Sequence, residues 1–388
     1  MNHKKNNVHI LIGIYSHPEI FPPTLNAVME LSKFYTSISL VFRNNLAGNW
    51  SYPKNIELIS SGSYISVKDQ MQTNLFYKFY YFFCFMLSFY RQALLKRPGI
   101  IIVYDPVALF AYSILRPILS FKHIIWYHNH DVFVDGDHSK ISLMRLSIHA
   151  EKKSFKYLDI FSLPSLDRKK YFPLKSYTGK FFFIPNYPSI EFYSKFYSTK
   201  IIDSEIRLIY QGQISENHGL EEIINILDSH IYNKRLKLLL KGYFSENYKE
   251  KLLKLAAIKN VSDKIEIIGV TPYHEVPLIG SNCHIGLAIF KGQDIMNSTL
   301  GTSSNKIYEY AALGLPVLLF DNEHFRFHLK KKEWAYFTDC SQSSLIKNIE
   351  DILNNYPIIS KSANTDFKHE FNYENQFKIV IDFLLQNG

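Results

Sequence analysis

Cysteine is scarce in this sequence: only three of its 388 residues are cysteines. Three cysteines are too few for a disulfide-stapled scaffold or for a zinc site built from several cysteines. The composition therefore favours a protein that works in a reducing compartment, and we predict a cytoplasmic location.

Closely spaced glycines are also missing. None of the 16 glycines stands two residues from another, so the dinucleotide fingerprint G-x-G-x-x-G is absent, and so is the phosphate-binding motif G-x-x-x-x-G-K. The standard nucleotide fingerprints therefore assign no function.

Long apolar runs are the third absence. The most apolar stretch, residues 79–90, has twelve uncharged residues, well short of the ~20 that a membrane-spanning helix needs. The apolar run 8–15 follows two lysines, as in a secretory signal, but it is short and has no small-residue cleavage site. We interpret it as a first buried strand and predict no transmembrane segment.

What is present suits a soluble chain of two domains. Hydrophobic residues make up 47% of the sequence, and its length is enough for two domains of about 190 residues each. The net charge of +9 suits phosphate-bearing ligands, nucleic acid or an anionic membrane. Because the basic residues are dispersed and no nucleic-acid recognition module is present, we expect no nucleic acid among the partners.

Short β-rich runs alternate with helical patterns along both halves of the chain, as doubly wound parallel sheets require. The predicted strands are residues 8–15, 37–42, 56–60, 100–104, 123–128, 160–164 and 181–184, then 207–210, 237–240, 265–268, 285–288 and 317–320. The sequence thus predicts an α/β fold with a Rossmann-like domain over 1–190, a linker over 191–204, a second Rossmann-like domain over 205–371, and a terminal helix over 372–388 that packs back on the first domain.

The most informative segment is residues 301–317. A turn of small residues opens a helix there, and Lys306 adds a charge to the free N–H groups of the first turn, which suits a diphosphate. Glu309, about one turn later, suits the hydroxyl pair of a ribose. The alternative is an N-capped surface helix with an ordinary glutamate. The turn and helix start contain Thr302, Ser303, Ser304 and Asn305.

With its continuation through 313–316, this segment resembles the retaining GT-B glycosyltransferases of the family-4 type, which transfer a sugar from a nucleotide donor. The resemblance runs from Val8 to Phe383 and is densest over 210–320. It implies two Rossmann-like doubly wound domains that face a central cleft. The family carries two glutamates eight positions apart, the second of which binds the donor ribose. Glu309 matches the second, whereas Gly301 stands at the first.

The segment 210–220 resembles the family's first donor-binding turn. Family members carry a basic residue at one or both of the positions matched by Gln213 and His218, where the charge contacts the donor diphosphate. Gln213 carries no charge, and His218 is charged only when protonated. Either the diphosphate is held more weakly here, or Lys306 and Lys241 compensate for the missing charge. The alternative is that His218 is a surface residue at a helix start.

In the first half, residues 126–131 resemble the family's loop of the form aromatic-Asp-x-His-Glu. His130 matches the characteristic histidine and Asp131 the acidic residue, whereas His128 stands where many relatives have aspartate. We predict His130, Asp131 and Lys306 as the catalytic residues. A metal site formed by His128, His130, Asp131 and His138 has suitable ligand types for Zn²⁺ or Fe²⁺, but the surrounding pattern resembles a metal-independent family.

Three further features complete the prediction. Tyr15 and His17, in the loop after the first strand, are predicted to lie with His128 on the acceptor side. Asn186 is interpreted as a structural turn. Residues 76–97 are rich in Phe and Tyr with basic flanks, which suits either a helix in an anionic membrane interface or a buried helix.

The resemblance implies transfer of a sugar, with retention, from a UDP- or GDP-type nucleotide sugar to a hydroxyl of a glycan or polyprenyl-linked acceptor in bacterial polysaccharide biosynthesis. It implies no obligatory metal and no other cofactor. We expect a cytoplasmic enzyme; the membrane interpretation of 76–97 would place it on the inner face of the cytoplasmic membrane, whereas the buried-helix interpretation would not. The alternatives are a non-catalytic GT-B-like partner subunit and a sugar-nucleotide epimerase.

Overall fold

The computed structural model describes residues 5–133, 142–292 and 294–388. Its contacts divide the chain into two compact units. The first comprises Met1–Asn186 with Tyr373–Gly388, and the second comprises Tyr187–Asn372. The segment 191–204, which the sequence analysis treats as a linker, thus belongs to the second unit. Tyr193 explains part of this, because its side chain is fully buried and interacts electrostatically with Glu309 of that unit.

The first unit is built on a sheet of parallel strands, which are β1 (Asn6–Ile14), β2 (Tyr35–Arg43), β3 (Ile56–Ser61), β4 (Ile100–Tyr104), β5 (Ile124–His128), β6 (Ile160–Leu163) and β7 (Lys180–Phe183). Their order is β3-β2-β1-β4-β5-β6-β7. Strand order reverses between β1 and β4, so the crevice beyond the carboxyl ends of these strands is the expected ligand position. All five residues of β4 are buried, as in a sheet covered on both faces.

Among the described residues, the helices of the first unit are α1 (Pro22–Phe34), α2 (Val67–Gln72), α3 (Leu75–Lys96), α4 (Asp105–Leu115), α5 (Leu143–Ser154) and the C-terminal α15 (Tyr373–Asn387). Helix α15 contributes Phe377, which stacks on Trp126 at a ring-centroid distance of 5.9 Å. Helix α3 lies directly on β1, since a Cβ on Gly13 would lie 2.6 Å from the Phe89 ring. The buried face of α3 is therefore part of the core of the first unit.

The second unit has its own sheet, which contains β8 (Glu205–Gln211), β9 (His230–Ile231), β10 (Lys234–Lys241), β11 (Ile265–Gly269), β12 (Ile285–Ala288), β13 (Val317–Phe320) and β14 (Ala335–Thr338). The parallel strands follow the order β11-β10-β8-β12-β13-β14, and β9 pairs with β10 in the antiparallel direction. Here the order reverses between β8 and β12. The prediction of two Rossmann-like α/β sheets is confirmed.

The helices of the second unit are α6 (Ile190–Tyr193), α7 (Leu220–Ile226), α8 (Glu246–Ile258), α9 (Val276–Ser281), α10 (Ile295–Ser298), α11 (Asn305–Ala312), α12 (Glu323–Leu329), α13 (Gln342–Asn354) and α14 (Tyr356–His369). Six residues of α11, from Ile307 to Ala312, are buried, so this helix lies within the unit and is not a surface helix. Within the three described ranges, no helix is both long and apolar enough to cross a membrane.

Candidate donor site and histidine cluster

Two glycine turns lie at the carboxyl ends of β8 and β10. Gly212 and Gly242 both have positive φ, of 112° and 136°. The Gly212 N–H donates to the Lys241 carbonyl oxygen at 2.9 Å, and a Cβ on Gly242 would lie 1.8 Å from the Gly212 carbonyl oxygen. Both turns therefore depend on glycine, which lets the two backbones touch and lets a ligand approach them closely.

Lys306 points at the first of these turns. Its Nζ would lie 3.2 Å from a Cβ on Gly212, and it donates a hydrogen bond to the Tyr210 hydroxyl at 2.8 Å. It also lies 4.0 Å from the centroid of the Tyr210 ring and 4.8 Å from that of Phe290. Burial lowers the pKa of Lys306 to about 7, although Glu309 opposes the shift. A bound diphosphate would favour the charged form.

The start of α11 is buried and lacks a side-chain cap. Thr302, Ser303 and Ser304 are all buried, and among the described residues the Ser304 side chain makes no capping hydrogen bond. The Asn305 Oδ1 atom is buried without a hydrogen-bond partner in the same part of the chain. The first-turn N–H groups therefore keep the anion-binding capacity that the sequence predicts.

His218 is buried rather than a surface residue. Its Nδ1 lies 2.6 Å from the Tyr210 hydroxyl oxygen, and the two rings stack at 5.3 Å. Burial and Lys306 lower the pKa of His218 to about 3, so the imidazole is neutral near pH 7. Gln213 is exposed and lines a cavity of about 450 Å³ with Tyr243 and Ser245. The positive charge at this turn therefore comes from Lys306.

Glu309 is buried among polar side chains. The Tyr273 hydroxyl donates to Glu309 Oε1 at 3.1 Å, and the Gln211 amide donates to Glu309 Oε2. Burial raises the pKa of Glu309, while the hydrogen bonds from Tyr193 and Tyr273 lower it. This set of partners excludes the alternative of an ordinary surface glutamate. Sequence reasoning missed Gln211, Tyr193 and Tyr273 because they come from elements distant along the chain.

Lys241 lies at the end of β10 and interacts electrostatically with Glu309, although the two residues are far apart in the sequence. It is buried, and burial lowers its pKa while Glu309 and Glu275 raise it. The structure thus gives this part of the second unit two buried lysines, Lys241 and Lys306, which interact electrostatically with one buried glutamate.

The space beside Gly301 is filled by two histidines of α12. The Gly301 N–H donates to His324 Nε2 at 2.6 Å, and a Cβ on Gly301 would lie 2.5 Å from His328 and 2.6 Å from His324. A glutamate at this position would clash with both rings. His324 was missed by the sequence analysis, since no motif connects it to Gly301.

In the first unit, His130 lies just beyond β5 with its ring held on several sides. It stacks on Phe21 at 5.0 Å and on Tyr104 at 5.2 Å, and its Nε2 lies 2.7 Å from the Thr24 hydroxyl. Its Nδ1 is buried without a partner among the described residues. Burial, His128 and Arg168 lower the pKa of His130 well below its usual range. His130 is therefore a neutral hydrogen-bonding group with one nitrogen open.

His128 repeats this arrangement. Its Nδ1 lies 2.8 Å from the Ser162 hydroxyl, whereas its Nε2 is buried and has no partner in the described ranges. Burial and Arg168 lower the pKa of His128 to about 3. The two rings lie 4.7 Å apart, so the end of β5 presents two neutral imidazoles, each with an open nitrogen.

Asp131 bears on the metal hypothesis. Its carboxylate lies 3.8 Å from the buried guanidinium of Arg168. Burial raises the pKa of Asp131, and Arg168 opposes the shift. A fixed cation beside this carboxylate disfavours a metal ion at the same place. His138, the fourth residue of that hypothesis, lies outside the described residues.

Tyr15 and His17 are both engaged within the first unit. His17 is buried under the segment 45–50: its N–H donates to Asn45 Oδ1 at 2.8 Å, and a Cβ on Gly48 would lie 2.2 Å from its ring. Burial lowers the pKa of His17. Tyr15 packs edge-on against Phe85 of α3 at 5.4 Å. These contacts give both predicted acceptor-side residues a structural role.

Comparisons with known proteins agree with this architecture. Residues 194–368 match the family described as glycosyl transferases group 1. Among curated proteins, none matches the chain. The match covers the predicted donor-site residues Gln213, His218, Lys241, Lys306 and Glu309.

Several solved structures resemble the whole chain. Sucrose-phosphate synthase from Thermosynechococcus elongatus aligns with a TM-score of 0.69 at 13% identity, over 98% of this chain and 99% of that one. A glycosyltransferase from Rickettsia africae gives 0.67 at 12% identity, over 98% and 99%. Anabaena HepE, solved in complex with UDP-glucose, gives 0.63 at 12% identity, over 98% and 100%.

At these identities the structural likeness establishes the fold. The two Rossmann-like units with parallel sheets are those of GT-B glycosyltransferases, and the second unit contains the matched group 1 segment. The chain therefore has the GT-B fold, and the comparisons support a glycosyltransferase.

Proposed function

We propose that this protein transfers a sugar from a nucleotide diphosphate-sugar to a hydroxyl acceptor. The observation that carries the proposal is the placement of Lys306 in the first turn of α11, with its Nζ against the Gly212 turn. A helix start, a lysine and a glycine turn together bind a diphosphate through charge and backbone N–H groups.

The donor in this proposal is of the UDP or GDP type. Glu309 accepts the two ribose hydroxyls, because each carboxylate oxygen can accept further hydrogen bonds beside those from Tyr273 and Gln211. Lys241 and Lys306 balance the charge of the diphosphate. Support comes from Anabaena HepE, which was solved in complex with UDP and with UDP-glucose.

The chemical step we propose breaks the bond between the sugar and the nucleotide diphosphate while the acceptor hydroxyl attacks on the same face of the sugar, so that configuration is retained. The hydroxyl proton passes to the departing phosphate oxygen. Stabilising the departing phosphate oxygens is then the main catalytic task. Lys306 and the N–H groups of 303–306 perform it, and we propose that no metal is required. His130 hydrogen-bonds a hydroxyl of the transferring sugar through Nδ1, which has no other partner among the described residues.

A glycan or polyprenyl-linked acceptor is the final part of the proposal. Helix α3 has one face buried on the sheet and an opposite face that exposes Phe76, Tyr80 and Phe83. Exposed arginines, Arg91 and Arg97, follow this face. Aromatic and basic side chains in this arrangement suit the surface of an anionic membrane, where a polyprenyl-linked acceptor of a bacterial polysaccharide pathway would reside.

One observation favours a second candidate, a non-catalytic partner subunit. The charge expected at 213 and 218 is missing, since Gln213 is neutral and burial keeps His218 uncharged. A protein that has lost turnover could carry such changes without cost.

The test is binding followed by turnover. Calorimetry with UDP, GDP, ADP and CMP, each with Mg²⁺ and with EDTA, identifies the base; we expect one diphosphate to bind regardless of EDTA. The matching sugar nucleotides are then incubated with and without glycan or polyprenyl-linked acceptors. Transfer only with acceptor supports the proposal, interconversion without acceptor indicates an epimerase, and binding without turnover indicates the partner subunit. If no nucleotide binds, the donor site is wrong.

A further inference from the structure

We propose that Asp105 and Arg168 are positioning residues, which fix His130 for sugar transfer by binding its backbone N–H and its backbone carbonyl. The inference rests on the proposed function, because it takes His130 as the group that contacts the transferring sugar. It concerns how the first unit holds a residue that lies beyond the end of its strand.

Asp105 binds the backbone N–H of His130. Its Oδ1 accepts the His130 N–H at 2.8 Å, and it also accepts the N–H of Asp131. Asp105 directly follows β4, and the sheet register pairs Tyr104 with His128. The register of β4 against β5 therefore places the Asp105 carboxylate beside the end of β5.

The backbone of Asp105 supports a specific role. Its φ is +63°, a left-handed conformation that is uncommon for residues other than glycine and that aspartate and asparagine tolerate best. Glycine would satisfy this backbone without strain. The carboxylate therefore contributes something that glycine cannot, namely the two accepted hydrogen bonds.

Arg168 binds the backbone carbonyl of His130. Its Nη1 donates to the His130 carbonyl oxygen, and its side chain is 1% exposed. A guanidinium is costly to bury unless its N–H groups find acceptors. This arginine comes from the 3₁₀ helix Leu166–Tyr171. Asp105 and Arg168 therefore approach the His130 backbone from different segments.

Strand pairing cannot fix the His130 backbone, because β5 ends at His128. Beyond it, the Asn129 N–H still donates to the Ser162 carbonyl at 3.2 Å, but the backbone N–H and carbonyl of His130 form hydrogen bonds with side chains. Thr24 then fixes the ring through Nε2. With the backbone and the ring of His130 both held, the open Nδ1 has one direction, and the charge-assisted hydrogen bond from Arg168 helps to maintain it.

The experiment separates the carboxylate from the backbone. Asp105→Gly keeps the positive φ and removes the acceptor, whereas Asp105→Asn keeps an acceptor oxygen at the same place. Arg168→Met and Arg168→Lys form the second pair. Asp159→Ala is the matched control, because the Asp159 carboxylate accepts the Ile125 N–H at 2.8 Å near the opposite end of β5.

With the nucleotide sugar identified by binding, we expect Asp105→Gly to lower kcat for donor turnover on the order of 10²-fold. The dissociation constant for the nucleotide should stay unchanged, because the donor groups belong to the second unit. Asp105→Asn should restore most of the rate, and Asp159→Ala should leave kcat unchanged. A purely structural role would lower the melting temperature of Asp105→Gly and leave kcat per folded molecule as in the parent.

A second readout does not need turnover. In ¹⁵N-histidine spectra, with His130 assigned by its loss in His130→Asn, the parent should show one neutral tautomer through mildly acidic pH. Asp105→Gly should show exchange between tautomers. Unchanged kcat and an unchanged His130 spectrum in Asp105→Gly would overturn the inference. A parent without turnover whose spectrum still responds would instead contradict the proposed function and leave the positioning role standing.

Discussion

Lys306 and Tyr210 are bound to each other in two ways at once. The Lys306 ammonium donates to the Tyr210 hydroxyl at 2.8 Å and lies 4.0 Å from the centroid of the same ring. Such cation–π contacts offset part of the desolvation of an ammonium group, yet burial still lowers the pKa of Lys306 to about 7. The charge of Lys306, on which the proposed donor site depends, therefore changes within the physiological range.

We expect nucleotide diphosphate affinity to fall as pH rises above about 7. The bound diphosphate favours charged Lys306, so the pKa of Lys306 is higher in the complex than in the free protein. At a pH above the free-protein pKa, binding is therefore accompanied by uptake of a proton. In that range the dissociation constant rises up to about tenfold per pH unit. Calorimetry at pH 8 in buffers of different ionisation enthalpy measures this uptake. Lys306→Arg stays charged throughout and should flatten the profile. Equal profiles for parent and Lys306→Arg would contradict the assignment.

Glu309→Gln tests the ribose contact. The amide keeps the shape of the side chain but removes the charge that accepts hydroxyl donors, so we expect the nucleotide dissociation constant to rise roughly ten- to hundredfold. The sharper measurement uses 2′-deoxynucleotides: the parent should discriminate against them, and Glu309→Gln should not. Glu275→Gln is the control, since Glu275 also acts on Lys241 but is not assigned to the ribose. Full discrimination in Glu309→Gln would remove Glu309 from this role.

Gly242→Ala and Gly269→Ala form a matched pair for the glycine turn. Both glycines have positive φ, but a Cβ on Gly269 meets nothing within 4 Å, whereas one on Gly242 would meet the Gly212 backbone at 1.8 Å. Gly269→Ala should cost only the left-handed penalty of about 1 to 2 kcal/mol in the free energy of unfolding. Gly242→Ala should cost more in urea unfolding and abolish nucleotide binding. Equal effects would show that the turns need no close contact.

Much of the fold could be predicted because parallel sheets leave strong local patterns. The run Ile100–Tyr104 is apolar throughout and buried throughout, which is the signature of a strand covered on both faces. The region 323–369 was assigned no element, although it forms α12, β14, α13 and α14. Strand β14 has only four residues, three of them half-buried, and so short a segment carries little periodicity. This reason does not apply to α13 and α14, which have 13 and 14 residues.

The candidate site was predictable where its residues share one local segment, and not where they meet across the fold. Lys306 and Glu309 lie on one helix start, whose pattern indicates an anion and a hydroxyl pair. Gln211 reaches Glu309 from 98 residues away, and His324 reaches Gly301 from 23 residues away. The protonation state of His218 could not be predicted from the sequence either, because its neutrality follows from burial among Tyr210, Phe290 and Lys306.

Helix α3 tests the membrane contact, because its two faces can be changed separately. Phe76 is 75% exposed and Phe83 is 52% exposed, whereas Phe85 is fully buried. Phe76→Ser with Phe83→Ser should keep the melting temperature and lower cosedimentation with phosphatidylglycerol vesicles, while Phe85→Ser should destabilise the unit by roughly 3 to 5 kcal/mol.

The basic flank gives the second arm of this test. Each lysine or arginine near an anionic bilayer contributes about 1 kcal/mol, which is roughly fivefold in the partition coefficient. Arg91→Gln with Arg97→Gln should therefore reduce vesicle binding by roughly 25-fold at low salt, with little effect on neutral phosphatidylcholine vesicles. If neither the aromatic nor the arginine pair changes cosedimentation, the exposed face of α3 does not bind membranes, and the acceptor must be met in solution.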